Sequence, residues 1–297
     1  MINFRIFILL IFLISSLSHL FAISMVYNFR IAQITKQPII NKDNPKESVV
    51  VALIFDQCRK KNTGVFQNYA GFLGSFIYDF MPYSIRTDFA FSHIYEKKIN
   101  GTQFTDIQTD DLLTTFGRNF TLNSKNSITL SILFGVPTHK ILRLKHPDFG
   151  YNQIGTGLQI DGSLTLNRIT NLIYGARYLY FVPRKAKDSF ENRFKFTLGN
   201  VIDFLGSIKN TWQQHGFEIG YTSRFRFGAR SNPPIENIGK RTDYIRSNFY
   251  AVYKYKFMIN DIANRFILNL SYGFDHSPKL FGNKFIVTLW ASWNISF

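Results

Sequence analysis

Strict alternation of apolar and polar residues dominates the end of the chain. The apolar side of this last segment carries Phe285, Val287, Leu289, Ala291, Trp293, Ile295 and Phe297. A period of two is the signature of a β-strand with one apolar side. Residues 266–274 repeat the pattern. A soluble β-sandwich would alternate in the same way, so periodicity alone does not separate a sandwich from a membrane barrel.

Further segments of alternating or β-rich character bring the predicted number of strands to about twelve, with lengths near the about 9–11 residues that a tilted strand needs to cross a bilayer. They cover residues 48–55, 69–81, 85–95, 111–121, 127–137, 156–166, 172–182, 192–205, 212–226, 244–257, 263–274 and 285–297. The first is a continuous apolar run. A barrel of about ten or eleven strands around an internal N-terminal segment therefore stays open as an alternative.

The connections alternate between long and short along the chain. Long polar stretches follow the odd-numbered segments, at 57–68, 96–110, 138–155, 183–191, 227–243 and 275–284. Short turns with the Asn, Ser, Pro and Gly that turns prefer follow the even-numbered ones, at Pro82, 123–126, 167–171, 206–211 and 258–262. Outer-membrane barrels have short periplasmic turns and longer external loops. We therefore predict an all-β fold, a transmembrane antiparallel up-and-down β-barrel in a bacterial outer membrane.

The N-terminus has the features of a secretory signal peptide. Arg5 precedes an apolar stretch at 6–17, and a region of small and polar residues ends at Ala22. An uncleaved anchor helix is the alternative, because Leu20 is a poor residue at three positions before cleavage. The apolar core is about fourteen residues long, whereas a spanning helix needs about 20. We predict a signal peptide at 1–22, a periplasmic lead-in at 23–47 and the barrel at 48–297.

Composition supports this interpretation. Aromatic residues form 17% of the chain and suit pleated surfaces and membrane interfaces. The mean hydropathy of -0.05 and the lack of a second long apolar run disfavour a helical membrane bundle. A net charge of +16 would suggest nucleic acid in a cytosolic protein, but an export signal removes that partner. Cys58 is the single cysteine, so we predict no internal disulfide and no cysteine-rich metal site.

Motifs in the first half resemble a known family. Thr109-Asp110-Asp111-Leu112 opens one predicted strand, 128–136 runs into Pro137-Thr138, and Gly155-Thr156-Gly157 opens the strand that continues through Asp161. These signatures, within about 106–182, resemble the porin-like outer-membrane proteins of the MetA pathway of phenol degradation. The family has Gly after Pro-Thr, where this chain has His139. The resemblance implies a transport function and names no substrate.

The polar sides of the predicted strands carry the candidate functional residues. If the apolar side faces lipid, later strands send basic residues to the lumen: Arg177, Arg193, Lys195, Arg224, Arg226, Arg246, Lys254 and Lys256. Earlier strands give a mixed wall with more acid, which includes Asp79, Arg86, Asp88 and Asp161. The electric field between a basic wall and a mixed wall can select polar solutes in a narrow passage. The excess of basic residues predicts a pore that prefers anions. The alternative is that these charges pair and fill the barrel.

The predicted external loops hold a second basic set. Its members are Arg59, Lys60, Lys61, Lys97, Lys98, Lys140, Arg143, Lys145, Arg184, Lys185, Lys187, Lys240 and Arg241. Lipopolysaccharide phosphates are a suitable counter-charge, because Lys and Arg bind phosphate through charge-assisted hydrogen bonds. The alternative is that these residues only keep the chain soluble before insertion.

Catalytic and metal-binding chemistry receives little support. Ser92 and His93 are adjacent, so on a strand they point to opposite sides, and His146-Pro147-Asp148 reads as a turn. The carboxylates Asp106, Asp110 and Asp111 match no standard calcium loop. We therefore predict no catalytic residue, no metal site and no cofactor.

The chain ends on Phe297, on the apolar side of the last segment. A C-terminal aromatic residue at the periplasmic end resembles the outer-membrane assembly signal, so we expect the barrel-assembly machinery as a partner. The sequence predicts a porin-like channel for small, anionic or aromatic, solutes by passive diffusion. A closed structural or adhesive barrel, whose basic loops contact lipopolysaccharide or a host surface, is the alternative.

Overall fold

The computed structural model describes residues 46–60, 66–97, 103–109, 112–136, 142–143, 154–187, 193–197, 199–232, 244–259, 262–277 and 283–296. The predicted signal peptide, most of the predicted lead-in and Phe297 lie outside these residues. Within this part of the chain, none of the structure is a helix long and apolar enough to span a membrane.

All regular structure in the described ranges is β-strand. The strands are β1 (Lys46–Lys60), β2 (Phe66–Phe80), β3 (Tyr83–Lys97), β4 (Gln103–Thr109), β5 (Leu112–Asn123), β6 (Asn126–Val136), β7 (Leu142–Arg143), β8 (Gly155–Thr165), β9 (Thr170–Phe181), β10 (Arg184–Lys187), β11 (Arg193–Thr197), β12 (Asn200–Trp212), β13 (His215–Phe227), β14 (Arg230–Asn232), β15 (Tyr244–Ile259), β16 (Ile262–Ser277) and β17 (Asn283–Ser296).

Thirteen of these strands form one antiparallel sheet that closes on itself. Each pairs with its neighbour in the order β1, β2, β3, β4 and β5, β6, β8, β9, β12, β13, β15, β16, β17, and β17 pairs with β1. β4 and β5 are two parts of one wall segment, because both pair with β3. The wall therefore has 12 segments, as predicted. The apolar first segment is a wall strand, since β1 pairs with β2 as well as with β17.

Alternation separates an apolar outer surface from a buried inner one. On β6, Ile132 and Phe134 are exposed, whereas Ser131 and Leu133 between them are buried. Among the most exposed apolar side chains are Leu158 and Ile219, with exposed fractions of 63% and 72%. A soluble protein of this size buries most such residues, whereas a barrel in lipid exposes them. The pattern is that of a transmembrane β-barrel.

The connections define two ends of the barrel. Tight turns at 81–82, 124–125, 166–169 and 213–214 lie at one end, together with the start of β1 and the end of β17. We call it the turn end. The long connections leave from the opposite end, the loop end. The predicted tight turn at 206–211 is wrong, because β12 continues to Trp212.

A second sheet of four short strands lies at the loop end, in the order β14-β11-β10-β7. In sequence, β10 follows β9, β11 precedes β12, and β14 follows β13. Three adjacent wall strands therefore continue into it after a break. Gly199 and Gly228 lie at two of these breaks with φ of 90° and 77°, a conformation that glycine adopts at little cost. The predicted strand at 192–205 is thus wrong, because it joins β11 of the second sheet to β12 of the wall.

Candidate functional site in the barrel interior

A buried cluster of three charges lies on neighbouring wall strands. Arg177 on β9 and Arg224 on β13 both pair in register with Asp203 on β12, which lies between them. The Arg177 Nε and Nη2 atoms donate to Asp203 Oδ2 at 2.9 and 2.5 Å. Arg224 Nε donates to Oδ1 at 2.5 Å, and its Nη2 donates to Oδ2 at 3.0 Å. Two guanidinium groups therefore share one carboxylate in a site that is almost inaccessible to solvent.

The same row continues across two more strands. Arg224 is in register with Arg246 on β15, and Arg246 is in register with Asp275 on β16. Arg246 donates from Nε to Asp275 Oδ1 at 2.5 Å and from Nη2 to Oδ2 at 2.9 Å. This is a bidentate pair, the strongest common arrangement of Arg with a carboxylate. The two adjacent arginines are thus flanked by carboxylates on both sides.

Glu218 on β13 forms a second buried cluster nearer the turn end. Lys254 Nζ lies 2.7 Å from Glu218 Oε2. Ser207 Oγ and Tyr250 OH donate to Glu218 Oε1 at 2.9 and 3.0 Å. Each carboxylate oxygen therefore has a donor, as a buried charge requires.

Asp88 on β3 is held in a similar way on the opposite part of the wall. Arg86, two residues earlier on the same side of the strand, donates from Nε to Asp88 Oδ1 at 2.7 Å. Ser75 Oγ donates to the same oxygen. On β8, Gln159 Nε2 donates to Asp161 Oδ2 at 2.5 Å. Both carboxylates thus accept hydrogen bonds from near neighbours on the wall.

Two apolar clusters alternate with these charges along the barrel. At the loop end, Phe194 and Phe196 of β11 pack into a cluster with inward residues of the wall, Leu113, Leu133, Leu179, Phe181 and Val201. The two phenyl rings meet edge to face with centroids 6.5 Å apart. Leu179 and Val201 are in register with each other. They lie two residues beyond Arg177 and Asp203, so this cluster directly covers the charged row.

The second apolar cluster lies on the turn side of the charged row. Ile173, Leu205, Tyr250, Val252 and Ile267 form it, and Trp290 packs against it. Ile173 lies four residues before Arg177 on β9, and Leu205 lies two residues after Asp203 on β12. Each pair is therefore on the same side of its strand. The interior of this part of the wall is therefore filled by layers of side chains, as in other small barrels.

The structure places the predicted lumen residues in different environments. Arg177, Arg224, Arg246 and Asp88 are buried, and Lys254, Asp161, Asp79 and Arg226 are partly buried. Lys256 is exposed at the turn end. Arg193 and Lys195 lie on β11, in the second sheet and outside the barrel wall.

Sequence reasoning missed the acidic partners of the later strands. Asp203, Glu218 and Asp275 interleave with the basic residues of a wall that was predicted to be basic only. Each of these acids lies on the polar side of its strand. Register would have found two of them, because once the tight turns at 213–214 and after Ile259 are fixed, the residues opposite Arg224 and Arg246 follow by counting.

The remaining candidates do not assemble into a site in the described part of the chain. Ser92 and His93 are neighbours on β3, and Asp106 lies on β4. The residues 110, 111 and 146–148 lie outside the described ranges. No group of three His, Cys, Asp or Glu residues that could hold a metal ion occurs among the described residues.

Comparison with known proteins places the fold. No family model matches the chain, and no curated protein does. A COG4313 outer-membrane channel from Pseudomonas putida F1 is 11% identical with a TM-score of 0.65, over 88% of this chain and 100% of that one. The autotransporter translocator domain of NalP from Neisseria meningitidis has a TM-score of 0.53 at 10% identity, over 95% of this chain and 97% of that one.

The transport unit of the autotransporter AIDA-I from Escherichia coli gives a TM-score of 0.54 at 7% identity, with 92% of this chain and 97% of that one covered. Identities this low carry information on the fold alone. Together with the closed wall and its apolar outer surface, they establish the chain as an outer-membrane β-barrel.

Proposed function

We propose that this barrel is a porin-like channel that lets small solutes cross the outer membrane by passive diffusion, with a preference for anions. The observation that carries the proposal is the charge of the inner surface. The basic residues with described side chains at inward positions are Arg86, Arg177, Lys209, Arg224, Arg226, Arg246, Lys254, Lys256 and Arg265. The acidic residues with described side chains at inward positions are Asp79, Asp88, Asp161, Asp203, Glu218 and Asp275.

A basic excess on a wall of low dielectric favours anions, because fixed charges act strongly where little water screens them. The apolar clusters above and below the charged row favour solutes that also carry an apolar or aromatic part. We therefore propose small aromatic or aliphatic anions as the substrate class. Side chains fill the interior near the row, so the proposed passage is narrow.

We further propose the orientation and the processing that such a channel needs. The turn end faces the periplasm and the loop end faces the exterior, as in other outer-membrane barrels. Residues 1–22 act as the signal peptide, 23–47 form the periplasmic lead-in, and Phe297 contributes to recognition by the barrel-assembly machinery. The motifs at 109–112 and 155–157 support membership of the MetA-pathway family.

Ion selectivity tests the proposal. The purified chain in a planar bilayer should conduct, and its reversal potential in a salt gradient should show anion preference. Changing Arg226→Gln and Lys256→Gln should shift that potential toward cations, since both residues point inward. The matched control is Lys125→Gln with Arg168→Gln, two exposed basic residues of the turns. A silent bilayer, or an equal shift in the control, would contradict the proposal.

A second candidate function is a closed structural or adhesive barrel. The burial of Arg177, Asp203 and Arg224, each with about 1% exposure, favours it. In this candidate the inner charges stabilise the wall, and the loop end contacts lipopolysaccharide or a host surface. Conductance separates the two, because a closed barrel carries no current.

A further inference from the structure

The second sheet is strongly basic. The basic residues of its four strands are Arg143, Arg184, Lys185, Lys187, Arg193, Lys195 and Arg230. None of the residues in these strands is Asp or Glu. A surface β-sheet normally carries both positive and negative residues. The purely basic composition of this sheet therefore indicates a negatively charged binding partner.

The register brings these basic residues next to one another. Lys185 pairs with Lys195, and Lys187 pairs with Arg193 on one side and with Arg143 on the other. Like charges directly opposite each other destabilise a sheet. Lys185 and Lys195 are exposed, and neither forms an ion pair among the described residues. The sheet would therefore gain stability from an anion that bridges the strands.

The exposed lysines face away from the lumen. Phe194 and Phe196 pack into the apolar cluster inside the barrel. Lys195 lies between them and thus points to the opposite side of the sheet. A solute in the lumen is separated from Lys195 by the two phenyl rings. The basic side of the sheet is consequently not part of the proposed passage.

This side continues the lipid-facing surface of the barrel. Tyr178 and Tyr180 on β9, and Val182 directly after it, are exposed on the outer surface. Lys185 follows three residues later, about 10 Å further along an extended chain. Tyrosines of this kind mark the boundary between hydrocarbon and headgroups. The lysines therefore lie at the level of the lipid headgroups or just beyond it.

We propose that the basic side of the second sheet binds the phosphate groups of lipopolysaccharide in the outer leaflet, with Lys185 and Lys195 as contact residues. Ammonium groups bind phosphate through charge-assisted hydrogen bonds. The phosphates would remove the repulsion between the paired strands and hold the sheet over the mouth. This inference rests on the proposed outer-membrane orientation, and it is independent of solute transport.

Binding of purified lipid A to the full chain in detergent, followed by native mass spectrometry, tests the inference. The double variant Lys185→Gln and Lys195→Gln should bind bisphosphorylated lipid A about tenfold more weakly or worse, since each cation near an anionic lipid contributes separately. The double variant Lys125→Gln and Arg168→Gln, with the same charge change at the turn end, should bind normally. Unchanged heat-modifiable mobility on a gel would show that both variants fold.

Two further probes identify the ligand. Dephosphorylated lipid A should bind the natural chain as weakly as bisphosphorylated lipid A binds the Lys185 and Lys195 variant. Equal binding of the two lipids would overturn the proposal, as would equal losses in the two double variants. Competition by inorganic phosphate alone, without any preference for lipid A, would assign the surface to a soluble anion instead. A barrel that is silent in bilayers and still binds lipid A would refute the channel and leave this inference standing.

Discussion

The barrel wall and the second sheet have opposite polarity, although three wall strands run from one into the other. In the wall, Asp203 is buried inside and Phe204 is exposed outside. In the second sheet, Phe194 is buried inside and Lys195 is exposed outside. The inversion occurs over a few residues around Gly199. The environment of each sheet explains this inversion, since lipid borders the wall and water or headgroups border the second sheet.

This difference shows that outward side chains are apolar in the wall and basic in the second sheet. In the wall, the closed barrel satisfies every backbone group, so its inner surface can hold paired charges. The second sheet is open and covers the mouth, so its inner surface must be apolar to pack. A single rule for inward and outward residues therefore fails at the break between the two sheets.

The largest effect is expected from making the inner side of the second sheet polar. Changing Phe194→Ser and Phe196→Ser removes two rings from the apolar cluster, so water should enter the mouth and single-channel conductance should rise several-fold. The control is Lys195→Ser, on the opposite side of the same strand. Unchanged conductance in the double Phe variant would mean that these rings do not limit the passage.

Removing the shared carboxylate should strongly destabilise the wall. Asp203→Asn leaves Arg177 and Arg224 without the charge that both contact, and breaking a buried pair costs about 3–5 kcal/mol. The free energy of unfolding in urea, measured in detergent micelles, should fall by that amount. The double variant Asp203→Asn with Arg224→Gln should recover part of the loss. No recovery would show that the pairing does not set the stability.

A charge on the outer surface of the wall should be somewhat less costly. Ile219 is the most exposed apolar residue of β13, and Ile219→Arg should lower the stability in lipid by about 2–4 kcal/mol if the residue lies near the midplane. Ile219→Val is the control, and it should change little. A tolerated arginine would indicate that water, and not lipid, borders this surface.

Substitution of the glycines at the break should have the smallest effects. A Cβ atom on Gly199 would lie 2.4 Å from the Phe227 carbonyl oxygen, whereas one on Gly228 would meet nothing within 4 Å. Gly228→Ala should therefore lower the free energy of unfolding by only about 1 kcal/mol, the cost of a positive φ for a residue other than glycine. Gly199→Ala should lower it by more, because its Cβ atom also meets the backbone. Gly206→Ala in β12, with open space around it and no positive φ, is the control. The order of melting temperatures in detergent checks this ranking.

The sequence allowed the wall to be predicted and left the second sheet unseen. The wall strands are recognisable because apolar and polar residues alternate along them with a period of two. Tight turns such as the one at 124–125 are flanked by the expected Asn and Ser residues. Phe194 and Phe196 alternate as in a strand, and the segment 192–205 was predicted as one strand with Gly199 in its interior. An isolated Gly within a strand pattern is a signal of a break or bulge.

The buried charges were only half predictable. Arg177, Arg224 and Arg246 stand out because a cation on a membrane strand must face inward. Their partners depend on which residues oppose them, and this register is set by the exact turn positions. The predicted turn at 206–211 lies several residues before the real turn between β12 and β13, so Asp203 could not be matched with Arg224. Packing of β11 against the wall is a tertiary contact that no local pattern encodes.

The seam between β1 and β17 has a consequence for how the protein reaches its native state. Ser48 Oγ and Ser296 Oγ lie 2.9 Å apart across this seam, although 248 positions separate them in the chain. Contacts of such sequence separation make folding slow, because a long loop must close before the contact forms. A chain that lacks β17 would present two unpaired edges, on β1 and β16, and such edges template aggregation. These two edges must therefore be protected from pairing with other chains until the last strand is in place.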